Sequence, residues 1–256
     1  MDRLESLTVL QEHRINEFIN EQIERLNGLT GNKRVIESYS NYLQTNNPDE
    51  LSVIENIMSN TLYSDDDFDQ IALFSMDGQV IKSLSKGTGN ENMPEQFFAE
   101  AKSQRIIRIL NDGEESHLYF AGPVMNNGEA IGLISITADM SKIFQTTQDY
   151  TGLGKTGETF LAKKDQNGDS LFITPLRFDS DASLSKIVPK EQVNVPITQA
   201  LMSNEIRMND AVDYRGEEVF AVTRYLENTD WGIVSKIDKS EVYSSFYEAN
   251  IVQLGF

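Results

Sequence analysis

The sequence predicts an α+β protein in which a long N-terminal helix precedes two tandem modules, each an antiparallel sheet flanked by helices. Three observations carry that prediction. A stretch recurs: Phe120 to Asp139 reads FAGPVMNNGEAIGLISITAD and Phe220 to Asp238 reads FAVTRYLENTDWGIVSKID, an offset of one hundred residues that shortens to ninety-nine at the Asp. Each copy follows a hairpin pattern, IALFSMDGQVIKSL (Ile71 to Leu84) and TFLAKKDQNGDSLFIT (Thr159 to Thr174), two apolar runs around an Asp/Gly-containing turn. Before the first hairpin, Leu4, Leu7, Ile15, Phe18, Ile19, Ile23 and Leu26 fall mostly three and four apart without an intervening Pro. Two copies of such length mean a duplicated domain and not a solenoid, whose periods are about 20–50 residues.

The opening stretch, Asp2 to about Leu29, is an amphipathic helix of roughly 40 Å at 1.5 Å per residue. It can pack on its own domain, pair with its twin in a dimer, or do both; Gly28 and Gly31 stop or kink it. Val35 to Leu43 and Glu50 to Leu62 read as shorter helices, with Asn46-Asn47-Pro48-Asp49 supplying a turn and an N-cap and Pro48 or Asp49 starting the second. Asp65-Asp66-Asp67 reads as a solvated loop, because a calcium site needs ligands at alternate positions. Lys86 to Asn92 is loop, and Pro94 to Lys102 a short helix with Pro at its start. Arg105 to Leu110 and His117 to Met125 are strands around the Asn111-Asp112-Gly113 turn, and Asn127-Gly128 turns the chain into Ile131 to Thr137. Met140 to Tyr150 reads as a connecting helix. The second module repeats the plan from Thr156, with an excursion from Arg177 to Met208 containing a helical Gln199 to Met202 and a loop with Pro189 and Pro196. Its last strand, Trp231 to Ile237, leads through Asp238 into an exit helix from Lys239 to about Val252.

Composition excludes several functions. Forty acidic against 22 basic side chains leave a net charge of −18, which repels a phosphate backbone, so nucleic acid is not an expected partner. No run approaches the ~18–20 apolar residues of a membrane span, and no signal-peptide pattern is visible after Met1. The N-terminus begins inside a helical pattern and the C-terminus stops at IVQLGF, so a fragment of a larger protein is expected. Cysteine is absent, which removes disulfides, thiolate metal sites and Cys nucleophiles. With only His13 and His117 there is no HExxH, no GxSxG occurs, and no carboxylate spacing singles out an acid/base pair; no catalytic residue, metal or cofactor is expected. Gly152 to Gly157 (GLGKTG) matches GxGxxG, but a dinucleotide site needs that string after a strand and before a helix. Here a helical pattern precedes it and a β-run follows, so it reads as a flexible lead into the second module's first strand. Asp139 and Asp238 close corresponding strands; each can cap the helix that follows or hold a ligand.

The strings PEQFFAEAK with HLYFAGPVMNNGEAIGLISITADMSKIF, DYTGLGKTGETFLAKKDQNG, and DYRGEEVFAVTRYLENTDWGIVSKID resemble the double-Cache sensor domains of transmembrane receptors, whose modules are PAS-like, over nearly the whole chain. The resemblance implies a division into a signalling and dimerisation helix (1–34), a membrane-distal module (35–150), a membrane-proximal module (151–238) and an exit helix (239–256) toward a trimmed membrane segment. It implies a non-catalytic domain in the periplasm or extracellular space, membrane-anchored in the full-length protein, homodimeric through the N-terminal helix, with a small-molecule ligand in the distal module. The wording of the last string is most similar to sensor histidine kinases; chemoreceptors and diguanylate cyclases use the same domain, and a structural or partner-binding module is the alternative of another class.

Carried over by residue, the resemblance places Phe97 and Phe98 as an aromatic pair, Tyr119 on a strand facing the pocket, and Asp139 where an acid grips an amino group. Phe74 and Ala121 belong to the same pocket wall. Glu95 stands where amino-acid-binding members carry an Arg for the ligand's carboxylate, which argues against a standard α-amino acid; Arg105 or Arg108 could replace that cation. For the aromatics core packing is the first reading, and a pocket wall can be both.

Overall fold

A computed structural model describes residues 1–64, 66–87, 93–111 and 116–244. Asp65, most of the Lys86 to Asn92 loop, Asp112 and Gly113 of the predicted turn and the exit helix beyond Ser244 lie outside the described residues. The chain divides into two compact units, Phe18–Met140 and Met1–Glu17 with the chain from Ser141 onward. This division cuts α1 (Asp2–Thr30), which the resemblance treats as a segment of its own.

In the first unit, α1 buries Phe18, Ile19, Ile23, Leu26 and Leu29, the spacing its sequence announced. It passes through Gly28 and ends before Gly31. Asn32 then caps α2 (Lys33–Thr45), its side chain accepting the Arg34 N–H at 3.0 Å. Asn46 closes α2 in the left-handed region (φ 52°), and Asn47 caps α3 (Pro48–Leu62) with Pro48 in the first turn.

Five antiparallel strands follow, β1 (Phe68–Phe74), β2 (Val80–Ser85), β3 (Ile106–Asn111), β4 (Ser116–Asn126) and β5 (Glu129–Asp139), in the order β2-β1-β5-β4-β3. Asn127 and Gly128 both have positive φ (49° and 88°), the two-residue turn that the Asn-Gly pair predicts. The sheet's two faces do different work. On one, Gly132 lets the backbone close on α2: an added Cβ would sit 2.5 Å from the Tyr39 ring. The other face carries Ala72, Phe74, Ala121 and Leu133 against Phe97 and Ala101 of α4 (Glu95–Ala101).

The second unit has six antiparallel strands, β6 (Glu158–Lys164), β7 (Ser170–Phe172), β8 (Ile187–Val188), β9 (Arg207–Val212), β10 (Glu218–Leu226) and β11 (Trp231–Asp238), in the order β8-β7-β6-β11-β10-β9. Its core joins Phe160, Phe172, Val219, Ala221 and Val234 to Ile197, Ala200 and Leu201 of α6 (Pro196–Leu201). On the opposite face, Leu4 of α1 meets Leu153 and Val222, and Gln11 accepts the Thr159 hydroxyl.

Several expectations are corrected here. The connecting helix is α5 (Ser141–Thr147), shorter than Met140 to Tyr150, because Asp149 takes up a turn with the Thr151 N–H and Gly152 adopts φ +84°. Pro196 is not in a loop: it begins α6, where its missing N–H costs nothing. The excursion ends in a sixth strand, β9, which the polar run RMNDAV concealed. GLGKTG is pinned: Arg177 Nη1 donates to Gly154 O (3.1 Å) and Gly157 O (2.6 Å). Asp238 accepts from Arg215 Nη2 (2.5 Å) and pairs with Lys236, so its carboxylate serves a charge cluster and not a helix cap.

Candidate functional site

Pairing across the first sheet sets out the candidate site row by row, since residues opposite one another share a face. One row runs Ile106–Ala121–Ser135–Ala72–Ser83, all on the face that α4 covers. The next runs Arg108–Tyr119–Thr137–Gln70–Ser85. Tyr119, Thr137, Gln70 and Ser135 are buried, so this face holds neutral hydrogen-bonding groups out of water, and Gln70 Nε2 donates to Ser83 Oγ at 2.8 Å. A third row places His117 opposite Asp139. His117 Nδ1 lies 3.5 Å from the Asp69 carboxylate.

A cleft of about 440 Å³ opens beside this face, lined by Phe74, Asp77, Gly78, Met93, Glu95, Phe98, Ala99 and Lys102. Its size suits a small molecule. Glu95, Phe98, Ala99 and Lys102 come from one stripe of the α4 region at spacings of three, four and seven, while Phe74, Asp77 and Gly78 come from the end of β1 and its turn. Gly78 takes φ +90°, and even a Cβ there would meet the Phe98 ring at 3.6 Å. Two carboxylates face one ammonium, giving a net negative lining. The Ser75 hydroxyl donates to Asp77 and holds its carboxyl below the usual range. Lys102 Nζ sits 4.7 Å from the centre of the Phe98 ring, and Phe98 meets Phe74 edge-on at 6.3 Å.

Of the residues singled out from sequence, Phe74 and Phe98 line the cleft. Phe97, Tyr119 and Ala121 are buried on the wall behind it, the Phe97 and Tyr119 rings 6.5 Å apart. The remaining three are not brought to the cleft. Arg108 pairs with Glu100 and donates to Ile107 O at 2.8 Å; Arg105 is exposed ahead of β3; Asp139 is exposed at the end of β5. Sequence reasoning missed Asp77, Gly78, Met93, Ala99 and Lys102 as cleft residues, and Gln70, Ser83, Ser135 and Thr137 as its polar neighbours. A helical-stripe reading of PEQFFAEAK would have found Ala99 and Lys102 from Glu95 and Phe98.

Among the described residues no group of His, Cys, Asp or Glu is arranged to hold a metal, and no helix is long and apolar enough to cross a membrane.

A family model described as "Cache domain" matches residues 1–246. Comparison with curated proteins returned no match. Among solved structures, the periplasmic sensory domain of the Campylobacter jejuni chemoreceptor Tlp1 superposes with a TM-score of 0.67 at 13% identity, over 94% of this chain and 96% of that one. The extracellular domain assigned to the histidine kinase mmHK1S-Z2 gives 0.67 at 11%, covering 93% and 96%. The ligand-binding domain of the Pseudomonas aeruginosa PAO1 amino-acid chemoreceptor PctC, solved with GABA, gives 0.62 at 15%, covering 93% and 99%.

Proposed function

The chain belongs to the Cache domain family, and we propose that it binds a small molecule in its first module and passes the change to a membrane receptor. Cache domains of this type are extracytoplasmic, non-catalytic sensor modules of such receptors. The observation that carries the placement of the ligand is the α4 face: neutral Gln70, Tyr119, Ser135 and Thr137 stand beside an open cleft, whereas the second module closes the corresponding face with aromatic and charged side chains. The two carboxylates of Asp77 and Glu95, with the ring faces of Phe74 and Phe98, suit an amine-bearing ligand. Structurally similar domains were solved with GABA and with L-Arg, which supports that class. Glu95, standing where a carboxylate-binding Arg is expected, points away from the standard α-amino acids.

The receptor class we favour is a sensor histidine kinase, on the wording of Asp213 to Asp238. Autophosphorylation of the full-length protein with labelled ATP tests this; methyl-accepting or cyclase output would replace it. Dimerisation through α1 is supported by the exposed Val9 and Leu10, and sedimentation of the chain with and without Leu10→Glu tests it.

The decisive experiment is a thermal-shift screen against amines, amino acids, carboxylates, sugars and divalent ions. A ligand at one hundred times its Kd adds about 2.7 kcal/mol. A hit lost in Phe98→Ala and Tyr119→Ala, and kept in Tyr214→Phe, is the expected result. A folded protein that answers nothing in the panel, or a hit indifferent to both first-module changes, overturns the placement and favours a structural or partner-binding module.

A further inference from the structure

The GLGKTG loop has an occupant. After β11 the chain turns helical over 239–244, and the Glu241 carboxylate reaches back into the loop. Its Oε1 accepts the Lys155 N–H at 2.8 Å, and its Oε2 accepts the Thr156 N–H at 2.7 Å and the Thr156 hydroxyl. Two successive backbone donors and a hydroxyl make a seat for a carboxylate, the local geometry by which backbone nests hold anions. The glycines are required there. Gly154 sits at φ +73°, and a Cβ on it would run into Glu241 Oε1. Although burial pushes the Glu241 carboxyl up, the bonds from Lys155 and Thr156 outweigh it and hold the group ionised.

The seat is tied to the interior of the module. Thr156 Oγ1 also accepts the Asp238 N–H at 3.1 Å, at the last residue of β11. Arg177 clamps the loop through Gly154 O and Gly157 O, stacks over the Tyr150 ring at 4.3 Å, and sends its own N–H to Glu158 Oε2 at 2.8 Å. Glu158 is in turn the buried partner of Lys236, 3.1 Å away. One bonded path therefore joins the buried charge cluster to the first turn beyond the sheet.

We propose that the Gly152–Gly157 loop is a latch whose removable occupant is the Glu241 carboxylate, so that the segment leaving the second module has a seated and a released state. This rests on the reading that the chain after Asp238 carries the sensor's output. The latch sets which state is populated, and movement of the Lys236–Glu158 cluster reaches it through Arg177.

The test is amide hydrogen exchange on this chain, compared with Glu241→Ala and, from the loop's side, Gly154→Ala. In both variants exchange at Lys155, Thr156 and 239–244 should rise at least tenfold while the amides of β10 and the middle of β11 keep their protection. Acetate, but not chloride at the same ionic strength, should restore protection at Lys155 and Thr156 in Glu241→Ala. Unchanged exchange at those two amides in Glu241→Ala overturns the latch. So does an equal rise throughout β10 and β11, which would make the contact ordinary structural support. The thermal-shift screen reads the first module and does not depend on Glu241, so the sensor reading and the latch can fail separately.

Discussion

The two modules share a strand order over five strands, the second adding β8 at one edge, and differ in what covers the corresponding face of the sheet. In the first, the row through Ala121 continues to Ser135 and Ala72. In the second, the row through Ala221 continues to Lys236 and Glu158, both fully buried. Lys236 Nζ also meets Asp213 at 2.8 Å, Arg215 links Asp213 to Asp238, and the Tyr214 hydroxyl donates to Glu158 at 2.7 Å. Three carboxylates thus share two cations. Above them Phe160, Phe172 and Tyr214 pack with ring centres 5.3–6.0 Å apart. Burial pushes the Tyr214 hydroxyl well above its ordinary range, keeping it a donor. One fold therefore supports a face of neutral side chains beside a cleft and a face closed by charge and aromatic rings. The closed face is costly to disturb, because a buried ion left without its partner has neither water nor a counter-charge.

The largest expected effect breaks the closed face. Lys236→Met strands Glu158 and Asp213, and urea denaturation should show a loss of about 3–5 kcal/mol, whereas Ser135→Ala in the first module should cost under about 1 kcal/mol. Adding Glu158→Leu to Lys236→Met should recover part of the loss; a further loss would show that the network is worth more than the charge it neutralises.

Acid should distinguish the modules next. Burial raises the Asp213 carboxyl, but the Lys236 and Arg215 hydrogen bonds outweigh it and leave the group below its ordinary value of 3.8. A carboxyl depressed on folding contributes stability above its unfolded pKa that is lost as pH falls through its folded pKa. Stability of the second module should therefore decline below about pH 4. Asp213→Asn should be less stable at pH 7 and flatter over that acid range, as read by melting temperature against pH.

A smaller effect concerns backbone contact. Gly232→Ala would put a Cβ 2.8 Å from Ala200 Cβ, and about 1–3 kcal/mol should be lost. The smallest is Tyr39→Phe in the first module. The Tyr39 hydroxyl is buried with no hydrogen-bond partner among the described residues, and burial pushes it up to about 12. Removing it should leave stability unchanged or raise it by up to about 1 kcal/mol; a clear loss would reveal a bridging water.

Much of the fold was legible because it is written in local patterns. The α1 stripe, the Asn-Gly turn after β4, the Asn47-Pro48 start of α3 and the paired hairpins each depend on neighbours within a few residues. The duplication was legible too, but its register was not. The echo matches Gly132 with Gly232, Ser135 with Ser235 and Asp139 with Asp238. In the sheets, Gly132 faces Tyr39 of α2 while Gly232 faces Ala200 of α6. Ser135 lies in the Ala72 row that α4 covers, while Ser235 pairs with Thr159 on the face that Gln11 of α1 reaches. Phe120 lies opposite Ile136, and Phe220 opposite Ile237, so counting from the shared Phe-Ala sets Asp238 against Thr137 and not Asp139. A slip of one residue turns every side chain to the other face. The irregularity at Val124/Met125 and the longer turn before Trp231 decide that slip, and both are set by pairing between strands.

The candidate site divides in the same way. Phe74 and Phe98 could be named from the hairpin and the short helix, whereas Arg108 goes to Glu100 and Asp139 stays at the sheet's exposed end. By itself the sequence determined the elements, their duplication and the aromatic character of the first module's wall, because those follow from periodicity and turn chemistry along the chain. Only the tertiary structure decided which face each repeated residue occupies, that Lys236 and Glu158 close one module, and that GLGKTG holds Glu241. Those outcomes depend on strand register and on contacts between residues far apart in the chain, for which a single sequence carries no local signal.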